Sequence, residues 1–207
     1  MKSRSGRLLM FLGLLASAGA SQAVTYTTRL TGPNESPPVA SPATGNATVD
    51  FDALAHILRI NATFSGLLGN TTAAHIHCCV ATPGTGVAPV ATQLPTFVGF
   101  PLGVTSGSYI NTFNTLEPAT WNPAFITASG GTLAGAESAL ASGLNAGTTY
   151  VNIHTNLFPG GEIRGFLSQA GTSQVPEPAS IALFAIAIGG FWASRRRNAR
   201  DLIFSRP

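Results

Sequence analysis

Apolar and polar residues alternate along two neighbouring segments in the first third of the chain. The segments are Gly45–Phe51 and His56–Phe64, and each places aliphatic or aromatic residues at every second position. Successive side chains of a strand point to opposite faces, so this period of two predicts strands with one buried face. Because only a short link around Asp52–Ala53 joins the segments, we predict an antiparallel hairpin.

Further short segments of strand character lie on either side of this hairpin. They are Val24–Leu30, Ala73–Val80, Ser106–Phe113, Tyr150–Thr155 and Glu162–Leu167. The sequence Phe158-Pro159-Gly160-Gly161 separates the last two, which predicts a second hairpin. Several short strands divided by turn signals favour a mostly β fold, an antiparallel β-sandwich or barrel.

Two stretches depart from the strand pattern. Leu133–Leu144 carries leucines at helical spacing, so we predict one short helix there. Thr82–Gly103 is rich in proline and glycine and has no clear period, which indicates a long loop.

The N-terminus has the order of a secretion signal. A positive start is followed by the apolar run Leu8–Ala16 and then by small residues up to Ala23. The apolar run is too short for a spanning helix, which needs roughly 20 residues. We therefore predict a signal peptide over residues 1–23, removed by signal peptidase after Ala20 or after Ala23.

The C-terminus has a second ordered pattern. Pro176-Glu177-Pro178 precedes an apolar stretch at 179–193, and Arg195, Arg196 and Arg197 follow directly. Positive residues stay on the cytoplasmic side of a membrane. The two ends thus agree on one topology, with a transmembrane segment at 179–193 in the inner membrane and the intervening domain outside the cytoplasm.

This proline-glutamate-proline, apolar, arginine order resembles a PEP-CTERM sorting signal. The resemblance implies that an exosortase recognises and cleaves the tail, in Gram-negative bacteria that make exopolysaccharide. We therefore divide the chain into a signal peptide at 1–23, a β domain at 24–170 and a sorting tail at 171–207. The expected route is export, a membrane-tethered intermediate, and then the cell surface or extracellular matrix.

Charge excludes one class of partner. The whole chain has a formal charge of +3, but eight of its eleven basic residues lie in the two end segments. The region from Val24 to Gln174 holds three arginines and six acidic residues, for a net charge near −3. A basic surface for nucleic acid is absent from this region, so no nucleic-acid partner is expected.

The two cysteines, Cys78 and Cys79, are adjacent in the sequence. Export permits disulfides, but adjacent residues cannot hold distant parts of a domain together. Three states remain open: a vicinal disulfide, free thiols, or bridges to another chain.

Histidines are the residues most able to carry chemistry. His75 and His77 share one face of a predicted strand, and His154 lies on another, followed by Glu162 on the next. Imidazole nitrogens suit copper and zinc, so these four residues form a candidate metal site. The other interpretation, a structural one, is that the histidines hydrogen-bond to backbone or to Glu162. In that case Glu162 and Arg164 form either an exposed ion pair or, if partly buried, a structural polar network.

The same fragments resemble a known domain. Ala73-Ala74-His75-Ile76-His77, Tyr150-Val151-Asn152-Ile153-His154-Thr155 and Phe158-Pro159-Gly160-Gly161-Glu162-Ile163-Arg164-Gly165 are similar to the signature of the CHRD domain, named after chordin. The resemblance covers Thr25 to Leu167. It implies an extracellular β-sandwich or barrel of surface proteins, and it defines a fold and a location more than an activity.

These observations favour a non-enzymatic surface or matrix protein. Binding to exopolysaccharide or surface proteins would use the exposed sheet faces and the loop Thr82–Gly103. No Ser-His-Asp order, phosphate loop or zinc-finger spacing occurs in the sequence, and copper or zinc is the cofactor that the histidines leave open. Two alternatives stay open: a copper or zinc protein, and an adhesin that self-associates through strand edges free of lysine.

Overall fold

A computed structural model describes residues 23–171 of the chain. Residues 1–22 of the predicted signal peptide lie outside this range. Residues 172–207 of the sorting tail, which include the segment 179–193, also lie outside it. Within the described range, no helix combines the length and the apolar character that a membrane span requires.

Antiparallel strands dominate the described residues. They are β1 (Val24–Thr31), β2 (Thr44–Asp52), β3 (Ile57–Ser65), β4 (Thr71–His77), β5 (Gly107–Asn114), β6 (Tyr150–Thr155), β7 (Ile163–Phe166) and β8 (Ser168–Gln169). They form one sheet in the order β4-β6-β7-β1-β2-β3-β5, and β8 also pairs with β1. The sheet curls into an open half-barrel, which confirms the predicted mostly β, antiparallel class.

The predicted hairpin of β2 and β3 is confirmed by a continuous register from Thr44 opposite Ser65 to Asp52 opposite Ile57. Burial along β3 alternates strictly between exposed and buried residues. Its inward side chains, such as Leu58 and Ile60, are fully buried. The alternation in the sequence therefore correctly predicts which face of the sheet covers the core.

Two helices lie between β5 and β6. The predicted helix is α2 (Leu133–Asn145), and it begins where the Thr132 side chain accepts a hydrogen bond from the Gly135 N–H. Its buried face includes Ala136, Leu140 and Leu144, which pack in the core cluster. A shorter helix, α1 (Pro123–Ala128), was not predicted, although Asn122 caps it and proline is at its first position.

The long loop Thr82–Gly103 is ordered by the edge of the sheet. Ala91 N–H donates to Ile76 O at 2.9 Å, and Phe97 N–H donates to Ala74 O at 3.1 Å. The Phe97 ring is buried and stacks on Tyr109, with ring centroids 5.6 Å apart. The loop therefore covers the β4 edge and contributes Ala91 and Phe97 to the core, whereas residues 82–87 are exposed.

The strand predicted at Ala73–Val80 ends earlier, at His77. After His77 the backbone hydrogen bonds go to other partners: Cys78 N–H donates to Pro89 O and Val80 N–H to Thr148 O. Apolar residues continue past the end of β4 because they enter the core beside α2, and this continuation explains why the pattern overestimates the strand.

Replacement of a core residue of β3 tests the fold. We predict that Ile60→Ala lowers the free energy of unfolding by about 2–5 kcal/mol, because Ile60 is 0% exposed and a cavity remains. The matched control is Ile110→Ala on β5, where the side chain is 60% exposed and the expected loss is below about 1 kcal/mol. Urea unfolding of both variants measures the difference, and equal losses would contradict the assigned faces.

Candidate metal centre

Pairing of β4 with β6 brings three histidines to one face of the sheet. His75 lies opposite Asn152, and His154 lies opposite Ala73 in the register of the two strands. Opposed residues of antiparallel strands project to the same face. His77 joins them because it is two residues from His75 on β4.

The three imidazole rings form a compact, nearly symmetrical cluster. The ring centroids of His75 and His77 are 5.8 Å apart, those of His75 and His154 5.2 Å, and those of His77 and His154 5.7 Å. One ring nitrogen from each residue lies within 4.8 Å of the others. His75 and His77 are buried, whereas His154 is partly exposed.

Each ring donates one hydrogen bond to a backbone carbonyl. His75 Nε2 donates to Pro95 O at 2.7 Å, His77 Nδ1 to Ala88 O at 2.9 Å, and His154 Nδ1 to Pro159 O at 2.9 Å. A carbonyl oxygen only accepts, so these bonds define the tautomer of each neutral ring.

The second nitrogen of each ring has no partner in the part of the chain that the structure describes. His75 Nδ1, His77 Nε2 and His154 Nε2 are buried and make no hydrogen bond to the described residues. In the tautomers that the carbonyls impose, these nitrogens carry lone pairs. A metal-binding histidine commonly donates its other N–H in this way, which orients the ring.

Burial keeps the three rings uncharged. Removal from water lowers the pKa of His75 to about 4 and that of His77 to about 4, despite the opposing effect of the carbonyl hydrogen bonds. Burial also lowers the pKa of His154. Neutral imidazole is the form that binds a metal.

Irregular segments supply the carbonyls that orient the rings. Ala88 and Pro95 belong to the loop Thr82–Gly103, and Pro159 belongs to the turn between β6 and β7. Tyr150 adds a further contact: its ring stacks on His77 with centroids 4.8 Å apart, and its hydroxyl accepts from Ala88 N–H. The loop that was predicted to bind a partner thus supports the histidine cluster.

Glu162 lies outside this cluster. Its carboxylate, which is fully buried, accepts hydrogen bonds from the donors Leu68 N–H, Gly69 N–H, Ser41 Oγ and Thr155 Oγ1. Burial raises the pKa of Glu162, but these hydrogen bonds together hold it below its ordinary value. The structure therefore brings together three of the four predicted ligands and gives Glu162 a structural role.

Arg164 is buried rather than paired with Glu162 on the surface. Its Nε lies 3.8 Å from Glu35 Oε2 and donates to Asn34 O, and a terminal nitrogen donates to Gly86 O at 2.8 Å. Sequence reasoning missed this pair because Glu35 belongs to a proline-rich loop with no periodic signal. The exposed form of the predicted Glu162–Arg164 pair is wrong, because both side chains are buried, and each belongs to a structural hydrogen-bond network instead.

The two cysteines are joined to each other. The structure contains the vicinal disulfide Cys78–Cys79, the first of the three states that the sequence left open. Gly143 of α2 accommodates it, since a Cβ at Gly143 would clash with both sulfurs. The remaining histidine, His56, is not part of the cluster and pairs with Glu137 instead: its Nδ1 lies 3.0 Å from Glu137 Oε2.

A family model for the CHRD domain matches residues 26–167. The chain belongs to the CHRD-domain family. The matched region includes β2 to β7 of the CHRD domain and all three clustered histidines, which confirms the resemblance seen in the sequence.

A second family model, the PEP-CTERM protein-sorting motif, matches residues 174–197. The match contains Pro176–Pro178 and Arg195–Arg197 and confirms the second resemblance. It implies that the CHRD protein is exported through a membrane-anchored intermediate and processed by an exosortase. Neither the curated proteins nor the solved structures gave a match to the chain.

Replacement of the buried carboxylate tests its structural role. We predict that Glu162→Gln lowers the free energy of unfolding by about 1–3 kcal/mol, because an amide NH₂ would face hydrogen-bond donors. The contribution of Glu162 is present above its ordinary pKa of 4.5 and is lost as pH falls through its lower folded value.

The matched control is Glu117→Gln, at an exposed position, where we expect a change within about 0.5 kcal/mol. Urea unfolding at neutral pH compares the two variants. Equal stability of Glu162→Gln and the parent would contradict the hydrogen-bonded role.

Acidification tests the neutral state of the histidines. Their ordinary pKa is 6.5, whereas His75 and His77 titrate at about 4 in the folded metal-free domain. Between these values the unfolded chain binds more protons, so the free energy of unfolding decreases as pH falls from 6.5 to 4. Urea unfolding across this range measures the decrease, and NMR titration of the imidazole C–H signals assigns it. Midpoints near 6.5 for both rings would contradict their burial.

Proposed function

We propose that this exported CHRD domain is a metal-binding surface module that holds one copper or zinc ion on His75, His77 and His154. One observation carries the proposal: each of the three clustered rings has one nitrogen bonded to a carbonyl and its other nitrogen buried without a partner among residues 23–171. The module is non-enzymatic, and its activity is binding.

A purely structural role explains only half of these contacts. It accounts for the three N–H groups that bond to carbonyls, but it leaves three buried acceptors unsatisfied in one place. A buried polar group without a partner costs about 1–3 kcal/mol. A cation shared by the three lone pairs would satisfy all of them together, and it would offset the repulsion between neighbouring acceptors.

The donor set fits copper and zinc better than hard cations. Imidazole nitrogen suits zinc and copper, whereas magnesium and calcium prefer oxygen ligands. The bound ion would be held by His75, His77 and His154, with a coordination position left for a small exogenous ligand. His154 is the partly exposed ring, so exchange with solvent would occur on that side.

The cellular location of this activity is inferred from the two end segments of the chain. Signal peptidase would remove the N-terminal segment, and the exosortase would process the tail near Pro176. The domain would then be released or attached at the surface of a Gram-negative bacterium, among exopolysaccharide or other surface proteins. Two observations support this setting: the sorting-motif match at 174–197 and the net negative charge of the domain.

Metal analysis of the exported protein tests the proposal. We predict about one equivalent of copper or zinc in protein purified without chelators and without a histidine tag. The double variant His75→Ala/His77→Ala should lose it, because two of the three neutral donors are removed. The control His56→Ala should retain it, since His56 pairs with Glu137 away from the cluster. A folded wild-type protein that stays metal-free after incubation with both metals would refute the proposal.

A further inference from the structure

The surroundings of the three histidines contain no negative charge in direct contact with the rings. Among residues 23–171, the hydrogen-bond partners of the three rings are the neutral carbonyls of Pro95, Ala88 and Pro159. Zinc-binding histidines often donate instead to a carboxylate, which strengthens the ligand and offsets the charge of the metal. The one carboxylate that the sequence suggested for this role, Glu162, is committed to other donors.

A buried cation lies next to the cluster instead. The Arg164 guanidinium is 4.8 Å from the centroid of the Tyr150 ring, and Tyr150 stacks on His77 with centroids 4.8 Å apart. Arg164 and His77 reach Tyr150 from β7 and β4, the strands on either side of β6. Because Arg164 is only 2% exposed, water screens its charge weakly.

The neighbouring carboxylate compensates this charge only in part. Glu35 Oε2 lies 3.8 Å from Arg164 Nε, longer than a direct hydrogen bond. The other oxygen, Glu35 Oε1, is buried without a partner among the described residues. Burial raises the pKa of Glu35 to about 7, although Arg164 opposes the rise. Because no direct hydrogen bond joins the two groups, Glu35 compensates the charge of Arg164 incompletely, and a net positive character remains beside the site.

We propose that the three-histidine site selects copper in its +1 state over divalent ions, and that buried Arg164 sets this preference. This inference rests on the proposed metal-binding function and names the ion that the site takes. Arg164 acts here as a specificity-determining residue that does not touch the metal.

Charge is the physical basis of the selection. Three neutral imidazoles supply no negative charge, so the complex has the charge of the ion itself, and the guanidinium repels a divalent ion more than a monovalent one. At an effective dielectric constant near 20, one unit of charge within roughly 10 Å of an ion changes its affinity by about tenfold or more.

Competition titrations of the exported protein measure this selectivity. Cu(I) is presented anaerobically with ascorbate against bicinchoninate, and Zn²⁺ is presented against a zinc-binding dye, both at pH 8. The readout is the ratio of the Cu(I) affinity to the Zn²⁺ affinity. A variant that folds incompletely binds both metals more weakly, whereas a change in the charge near the site alters the ratio of the two affinities.

Two replacements of Arg164 separate charge from structure. Arg164→Met removes the charge and Arg164→Lys keeps it, while both lose the guanidinium geometry toward Asn34 O and Gly86 O. We expect a ratio that favours Cu(I) in the wild type and roughly tenfold less in Arg164→Met than in Arg164→Lys. Equal ratios in the two variants would overturn the role of Arg164.

Glu35→Gln is the complementary variant, and it tests the inference even if the Arg164 variants do not fold. It removes the partly compensating carboxylate, so the ratio should rise above the wild-type value at pH 8. An unchanged or lower ratio contradicts the inference. Tight Zn²⁺ binding with weaker Cu(I) binding overturns the inference and leaves the proposed function intact, whereas binding of neither metal removes both.

Discussion

The antiparallel pairing of β4 with β6 is the constraint on which the site depends. Its register places His154 opposite Ala73 and Asn152 opposite His75, and it thereby gathers residues from distant parts of the chain. The other face of the same strands carries buried Ala74, Ile76, Val151 and Ile153. A slip of one residue would move the histidines into that core and the aliphatic residues out of it. Packing of the aliphatic face in the core thus keeps the three histidines together on the opposite face.

Hydrogen bonding from irregular segments completes what the strands begin. The carbonyls of Ala88, Pro95 and Pro159 orient the three rings, and all three come from loops or turns beside proline. Proline restricts the backbone and reduces the entropy lost when a loop is ordered. The loop Thr82–Gly103 is further held by backbone bonds to β4. A site of neutral imidazoles is therefore built before any ligand arrives.

Much of this architecture was predictable because it has a periodic signal. The alternation in β2 and β3, the turn between β6 and β7, and the leucines of α2 all predicted elements that the structure contains. The histidines were predicted to share a face because strand geometry requires it for His75 and His77. The overall resemblance to the CHRD domain identified the family from three short fragments, and the family match confirmed it.

The remaining features depend on contacts that have no local pattern. Glu162 was assigned to the histidines by its position on the adjacent strand, but donors from the loop at Leu68 and Gly69 hold its carboxylate elsewhere. The burial of Arg164 depends on Glu35 and Asn34, which are close only in the folded domain. The tautomer of each histidine depends on the backbone carbonyl that its ring contacts. Because every residue has such a carbonyl, the sequence does not indicate which one a ring will contact. Such features follow from tertiary structure alone.

The central claim concerns individual nitrogen atoms, and nitrogen-15 NMR of the imidazoles tests it directly. In the metal-free protein at neutral pH, we predict protons on His75 Nε2, His77 Nδ1 and His154 Nδ1. Addition of one equivalent of Zn²⁺ or Cu(I) should shift the signals of His75 Nδ1, His77 Nε2 and His154 Nε2 together and leave His56 unchanged. The opposite tautomers, or unchanged spectra with either metal, would contradict the account.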